Sequence, residues 1–310
     1  MSEVKERGLH LEERPTSFKT VVGQPSAVAQ LQGLAKSPGG LPHCLLFTGP
    51  SGCGKTTLAR IVRKKLACGD RDFFEINAAD SRGIETVRAI QQRVGLSPLD
   101  GETRVWLIDE CHALTGDAQS AFLKLLEEPP PHAYFMLATT HPEKLRAAIQ
   151  TRCIEIKVRA LTVTEISALV NRVCEERDKK LTEDVVLRLA DVADGSARKA
   201  LNLLQQIMEL ESEEVQIQAL ENADAKVAAI EIARAIMSKK SWKDVCAILA
   251  KCDEEPESIR WMILSYFGKV ATGGGRFAQD AIHVLECFQY NYYDTKKAGL
   301  ILSCYNALHK

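Results

Sequence analysis

The sequence predicts an α/β domain with a mostly parallel sheet, followed by two all-helical regions. Three observations predict it. From about 44 to 158, five short apolar runs (CLLF, FFEI, VWLI, YFMLA and IEIKV) alternate with amphipathic stretches. Beyond Val158 the strand signals stop, and apolar residues recur only at helical spacing. Between the first run and the next helical pattern lies GPSGCGKTT at 49–57, a glycine-rich strand-to-helix turn. Alternation of this kind implies βαβ units whose strands are buried on both faces.

Each element has its own signal. Ala118, Ala121, Phe122, Leu125 and Leu126 form one helical stripe within the α/β part. TVTE at 162–165 matches a capping box, with Thr162 as N-cap and Glu165 reaching back. Ile166, Leu169, Val170, Val173 and Cys174 then follow on one face. A second helix starts near Thr182 and carries Val186, Leu189, Ala190 and Ala193. DGS at 194–196 breaks it, and Ala197, Ala200, Leu201 and Leu204 mark a third. ELESEEVQ reads as a solvated helix end or linker. Ser241 can cap a helix carrying Val245, Ile248, Leu249 and Cys252, and TGGGR at 272–276 is a flexible break. The expected divisions are 1–159, an α/β nucleotide-binding domain; 160–222, a small helical domain; and 223–310, a domain of about five helices.

Composition excludes several classes. The 310 residues are 45% hydrophobic and 26% charged with a net charge of −1, so no whole-chain field draws the protein to DNA or membrane. Ten cysteines include no Cys-x-x-Cys pair, so no zinc is expected and free thiols are. The N-terminus MSEVKERGLHLEERP is charged throughout and no apolar run nears a bilayer-spanning length, which points to a cytoplasmic protein without a membrane partner.

Gly49-x-x-x-x-Gly54-Lys55-Thr56 fits the P-loop pattern in full. Glycines let backbone N–H groups converge on phosphate oxygens, and the helix starting near Lys55 adds its positive end. ATP is the expected ligand of Gly49, Pro50, Ser51, Gly52, Cys53, Gly54, Lys55, Thr56 and Thr57. Lys55 would meet the β- and γ-phosphates and Thr56 would offer its hydroxyl to Mg²⁺. RVWLIDE places Asp109 and Glu110 at a strand end, where Asp109 can support Mg²⁺ and Glu110 can polarise the attacking water. DECH at 109–112 also imitates a helicase box, but no second alternating α/β pattern follows residue 160.

Further stretches resemble one family, the AAA+ clamp-loader ATPases, in both its bacterial gamma/tau and its replication factor C small-subunit forms. ERPTSFKTVVGQPSAVAQL is similar to their N-terminal segment, FFEINAADSRGIETVR to the factor C pattern, and FLKLLEEPPPHAYFMLATTHPEKL to the bacterial one. IQTRC stands in the place of the Ser-Arg-Cys signature and DGSARKALNLLQQ resembles sensor 2, so the likeness covers about 12–208. It implies that Thr140 is sensor 1, that Arg198 meets the γ-phosphate in cis, that Arg14 helps enclose the nucleotide, and that Arg152 serves a neighbouring subunit's site in trans. It further implies a helical lid, a C-terminal collar, a pentameric spiral with other loader subunits, a sliding clamp, and primer–template DNA at the nucleoid. Arg82, Arg88 and Lys124 are the candidate DNA-phosphate contacts.

Departures are Thr151 for the usual Ser and Glu13 for the usual Tyr. KKLACGDRDFFEI passes straight through where the bacterial relative carries a four-cysteine zinc module, and no long tail is expected after 310. That combination fits a phage or archaeal-like clamp-loader small subunit. Two rival functions remain open: another AAA+ DNA-remodelling ATPase acting in branch migration or recombination, and a non-hydrolysing scaffold subunit.

Overall fold

The computed structural model describes residues 8–252, 255–275 and 277–309; Arg276 of the expected TGGGR break and residues 1–7 of the charged N-terminus lie outside them. The chain forms two compact units, Met1–Gln205 and Gln206–Lys310. The first runs through α1 (Leu9–Glu12), α2 (Pro25–Lys36), β1 (Cys44–Thr48), α3 (Lys55–Lys65), β2 (Phe73–Asn77), α4 (Ile84–Val94) and β3 (Arg104–Asp109). It continues with α5 (Gly116–Glu127), β4 (Ala133–Thr139), α6 (Ala147–Arg152), β5 (Ile154–Lys157), α7 (Val163–Glu176), α8 (Glu183–Val192) and α9 (Ala197–Ile207). The second holds α10 (Glu213–Met237), α11 (Trp242–Ala250), α12 (Pro256–Thr272), α13 (Ala278–Cys287) and α14 (Lys296–Leu308).

All five strands are parallel, in the order β2-β3-β4-β1-β5. The chain leaves inner strand β1 for the far edge, returns through β3 and β4, and then places β5 on the other side of β1. The carboxyl ends of β1, β3 and β4 therefore surround the point where strand order reverses, where open α/β sheets bind ligands.

Period-two alternation assigns the faces. Cys44, Leu46, Trp106, Ile108, Phe135 and Leu137 pack under α4 and α5, against Val87, Ile90, Ala118 and Phe122. Leu45, Phe47, Val105, Leu107, Met136 and Ala138 face α2 and α3, against Leu31, Leu58, Ile61 and Val62. Each such large side chain contributes about 1.5–3 kcal/mol by leaving water. The inner strands β1, β3 and β4 are buried on both faces as expected, but β2 and β5 are not: Glu75, Ile154, Glu155 and Lys157 are partly or well exposed. Strand order explains the difference, because each of these strands has one neighbour only and its charges blunt a free edge.

A charged network lies inside this unit. Arg104, at the start of β3, and Asp72 are almost wholly buried. Asp72 Oδ1 accepts from Arg104 Nε (2.9 Å) and Nη2 (2.7 Å), and Oδ2 accepts from the N–H groups of Leu99 and Asp100, both 2.6 Å. The guanidinium's remaining hydrogens go to the carbonyls of Arg93, Leu96 and Ser97. The pair thereby pins the connection from α4 to β3.

The helical caps follow the sequence. Thr162 and Glu165 close the capping box of α7, and Thr182 caps α8. Asp194 and Gly195 take left-handed conformations at the break, and Ser196 Oγ accepts from Lys199 N–H to start α9. In the second unit the acidic stretch is a solvated helix end, as expected: Ser212 caps α10, whose first turn holds Glu213 and Glu214, and the helix runs unbroken through the division expected at 222/223. Its five described helices bury Ile232, Ile259, Ile263, Phe267, Phe288 and Cys304. No helix among the described residues is long and apolar enough to cross a membrane.

Candidate functional site

The loop after β1 is shaped by three left-handed glycines. Gly49 has φ +139°, and a Cβ there would stand 1.9 Å from the carbonyl oxygen of Val158. At Gly52, φ +74°, a Cβ would meet Ser196 Oγ at 2.1 Å. Gly54, φ +105°, has nothing near it, which leaves its side of the loop open to an approaching phosphate. α3 starts at Lys55 and points its N-terminal N–H groups into the same space.

Gln24 ties this loop down. It is buried and left-handed, and its Nε2 donates to the carbonyls of Arg159 (2.6 Å) and Cys53 (3.4 Å), while Oε1 accepts from Arg159 N–H (3.0 Å). One amide therefore fastens the N-terminal segment, the phosphate loop and the exit from β5. α9 joins them: Arg198 N–H donates to the Gly52 carbonyl at 3.3 Å.

These elements enclose a cleft of about 960 Å³, open mouth included. Arg14, Ser51, Gly52, Cys53, Gly54, Lys55, Thr56, Thr57, Asp109, Glu110 and Arg198 all line it. Gly49 and Pro50 contribute differently, by accepting the Lys55 ammonium on their carbonyls at 2.8 and 2.7 Å. Burial lowers the pKa of Lys55, and the charges of Glu110 and Asp109 act against that fall. Burial raises Asp109, and the adjacent Glu110 charge adds to the rise. Arg14 is lowered by burial and then by Arg60. The cleft thus gathers four cations, Arg14, Lys55, Arg172 and Arg198, with three carboxylates, Glu13, Asp109 and Glu110, a balance suited to a polyphosphate with a divalent cation. Apolar walls from Val21, Val22, Leu161, Leu169 and Leu201 suit a flat aromatic group beside it.

Glu110 sits at φ +48°, a conformation that costs a non-glycine residue about 1–3 kcal/mol. Its Oε2 accepts from Thr140 Oγ1 (3.3 Å) and lies 3.2 Å from His112 Nδ1. Thr140 is therefore brought to the acid pair although it does not line the cleft. β4 stands between β1 and β3 and supplies this threonine just past its end.

Arg152 is elsewhere. It ends α6, forms an ion pair with Glu127 at the end of α5, and donates to the Ala148 carbonyl. Arg82 and Lys124 are exposed at the α4 and α5 layer, whereas Arg88 gives its guanidinium to Glu85 at 2.6 Å. Glu13, the departure from tyrosine, lies at the cleft and accepts from Arg177 (2.7 Å), with Arg172 3.6 Å away. It fastens the N-terminal segment to α7 and its C-terminal end by charge where an aromatic would do so by packing. Gln24, His112 and Arg172 escaped the reading of the sequence. The VGQ triplet was the signal for the first, and DECH contained the second.

The family described as "DNA polymerase III, delta subunit" matches residues 71–162. The chain is 33% identical over 225 residues to the DNA polymerase III subunit gamma of Buchnera aphidicola, covering 66% of this chain and 62% of that protein. It is 35% identical over 229 residues to subunit tau of Escherichia coli, covering 67% of this chain and 35% of that one. It therefore spans less than two thirds of the length of these relatives. Among solved structures, the RuvB Holliday junction branch migration motor of Thermotoga maritima aligns with a TM-score of 0.59 at 21% identity, covering 76% of this chain and 85% of that one. At that identity the likeness speaks for the AAA+ fold alone, while the closer sequence agreement lies with gamma and tau. In its phosphate loop, its acid pair and this sequence agreement, the chain is thus similar to the clamp-loader ATPase subunits gamma and tau over about two thirds of its length.

Proposed function

We propose that this chain is an ATP-hydrolysing clamp-loader subunit, which helps to open a sliding clamp and set it on primer–template DNA during replication in the cytoplasm. One observation carries the reading. Lys55, Thr56, Asp109, Glu110 and Arg198 share a single cleft, whereas Arg152 stands outside it, on Glu127.

Lys55 would leave the Gly49 and Pro50 carbonyls for the β- and γ-phosphates. Thr56 and Asp109 would hold Mg²⁺, which when bound neutralises charge on the phosphate oxygens. Arg198 would approach the γ-phosphate from the lid, and Arg14 would close the cleft from the N-terminal side. Glu110 would accept a proton from the attacking water. Arg152 would act in a neighbour's cleft, where an arginine finger is worth roughly 10³–10⁵ in rate. Its present ion pair is partly exposed, and such pairs are worth about 0–1 kcal/mol, so releasing it costs little.

The domains we assign are the α/β part (1–159), a lid (160–207) and, from α10 onward, a collar (213–310) that joins subunits into a spiral, a pentamer in our reading. Arg82, Arg88 and Lys124 would meet DNA phosphates without reading bases. The exposed Arg88–Glu85 pair, worth about 0.2–0.5 kcal/mol, is a weak competitor for a phosphate. The test is ATP turnover by the assembled subunits with and without a sliding clamp and primed DNA. Strong stimulation needing both supports loading; turnover indifferent to both contradicts it.

A further inference from the structure

The ATPase reading leaves His112 without a role, yet it faces the proposed water-polarising carboxylate. His112 Nδ1 lies 3.2 Å from Glu110 Oε2 and 3.0 Å from Thr139 Oγ1. Thr139 is fully buried, and its hydroxyl oxygen also accepts from His141 N–H at 3.0 Å. The Thr140 hydroxyl reaches the same Glu110 Oε2 at 3.3 Å. Among the described residues Glu110 Oε1 has no hydrogen-bond partner from the chain. Asn77, paired with Asp109 across β2 and β3, gives its amide to Asp80 at 2.7 Å and does not hold Glu110.

The carboxylate beside Nδ1 biases the imidazole's tautomer. With Nδ1 unprotonated, its lone pair would point at a carboxylate oxygen 3.2 Å away, and the two would repel. With Nδ1 protonated, the N–H donates to Thr139 Oγ1 and its positive end stands 3.2 Å from Glu110 Oε2. Burial holds the imidazole below its ordinary pKa against the pull of Glu110, while His141 and Lys144 also lower it and Glu143 raises it. A neutral ring must choose one tautomer; Thr139 Oγ1 can pair with Nδ1 in either, and the Glu110 carboxylate beside that nitrogen favours the Nδ1–H form.

We infer that His112 is a positioning residue for hydrolysis: its Nδ1–H, together with the Thr140 hydroxyl, anchors Oε2 of Glu110 and leaves Oε1 to take the proton of the attacking water. The inference rests on the ATPase reading for its consequence, but not for its geometry. A carboxylate fixed at one oxygen keeps the other aimed, and misplacing a reacting group by about 1 Å can cost roughly 100-fold in rate.

Two measurements test it. Long-range proton–nitrogen NMR of the nucleotide-free full chain at pH 7.5 should show His112 protonated at Nδ1, and Glu110→Gln should shift that nitrogen. A ring protonated at Nε2 overturns the inference. In the assembled complex, His112→Leu should lower kcat about 10- to 100-fold with KM for ATP unchanged. His112→Asn, whose amide can stand where Nδ1–H stood, should recover most of the loss. Wild-type kcat in His112→Leu, or equal loss in both variants, overturns it. If the wild-type assembly itself hydrolyses nothing, the ATPase reading fails, and the tautomer still decides the geometry of His112.

Discussion

Replacing Asp72 by alanine removes one partner of a buried ion pair far from any phosphate chemistry. Both of its oxygens are used, by Arg104 on one side and by Leu99 and Asp100 N–H on the other. The variant leaves a guanidinium that is 3% exposed with no counter-charge, beside two N–H groups without an acceptor. Breaking a buried pair from one side costs about 3–5 kcal/mol. Water entering the loop at 95–102 can meet the freed N–H groups, so their penalty does not add in full, and about 4 kcal/mol is the figure we expect. A unit of this size loses roughly 2–4 °C of melting temperature per kcal/mol, which gives about 8–16 °C. Thermal and urea unfolding of the first unit provide the assay. Asp72→Leu combined with Arg104→Met should recover part of the loss, since an apolar pair leaves no stranded charge. The pH dependence has a defined sign. Burial alone would raise the Asp72 carboxyl, but the Asp100 N–H, Arg104 and the Leu99 N–H outweigh it and hold it below the ordinary value. Its stabilisation is therefore complete above the unfolded pKa of about 3.9 and is lost as pH falls through the lower folded value. A loss below about 1 kcal/mol in Asp72→Ala, or one that grows toward alkaline pH, would refute the reasoning.

Lys55→Ala should weaken ATP binding by roughly 10- to 100-fold or more, the worth of a charge-assisted hydrogen bond or two, as read by equilibrium titration; unchanged affinity would remove Lys55 from the phosphate site. Gly49→Ala should both destabilise the first unit and abolish nucleotide binding, because its Cβ would collide with the Val158 carbonyl, itself beside a backbone bond from Val158 N–H to Thr48. Circular dichroism and titration together check it, and a normally stable, ATP-binding variant would mean the loop has another shape.

The parts legible in the sequence were those written locally. The phosphate loop needs its glycines and Lys55 within a few residues, so spacing alone exposed it. Thr162, Thr182 and Ser241 cap helices through neighbours three residues on, and all three do so in the structure. What escaped was set by partners distant along the chain. Arg104 reads as a charge flanking an apolar run until the fold sets Asp72 against it. Gln24 is one polar residue before a helix until it spans to Arg159. His112 looked like part of a borrowed helicase box, because nothing local says that Thr139 and Glu110 converge on its ring. Edge and centre strands carry similar apolar runs, so the exposure of β2 and β5 followed only from strand order. α10 hid its continuity behind an acidic first turn that resembles a linker.

The central claim is that a triphosphate held by one subunit is cleaved with a guanidinium from the next. Complementation tests it most directly. Assemblies of Arg152→Ala alone, and of Glu110→Gln alone, should each hydrolyse ATP slower by orders of magnitude. Mixing the two should restore turnover, because an intact cleft from the first then meets an intact Arg152 from the second. Full activity in Arg152→Ala alone, or mixtures no faster than either variant, would contradict it.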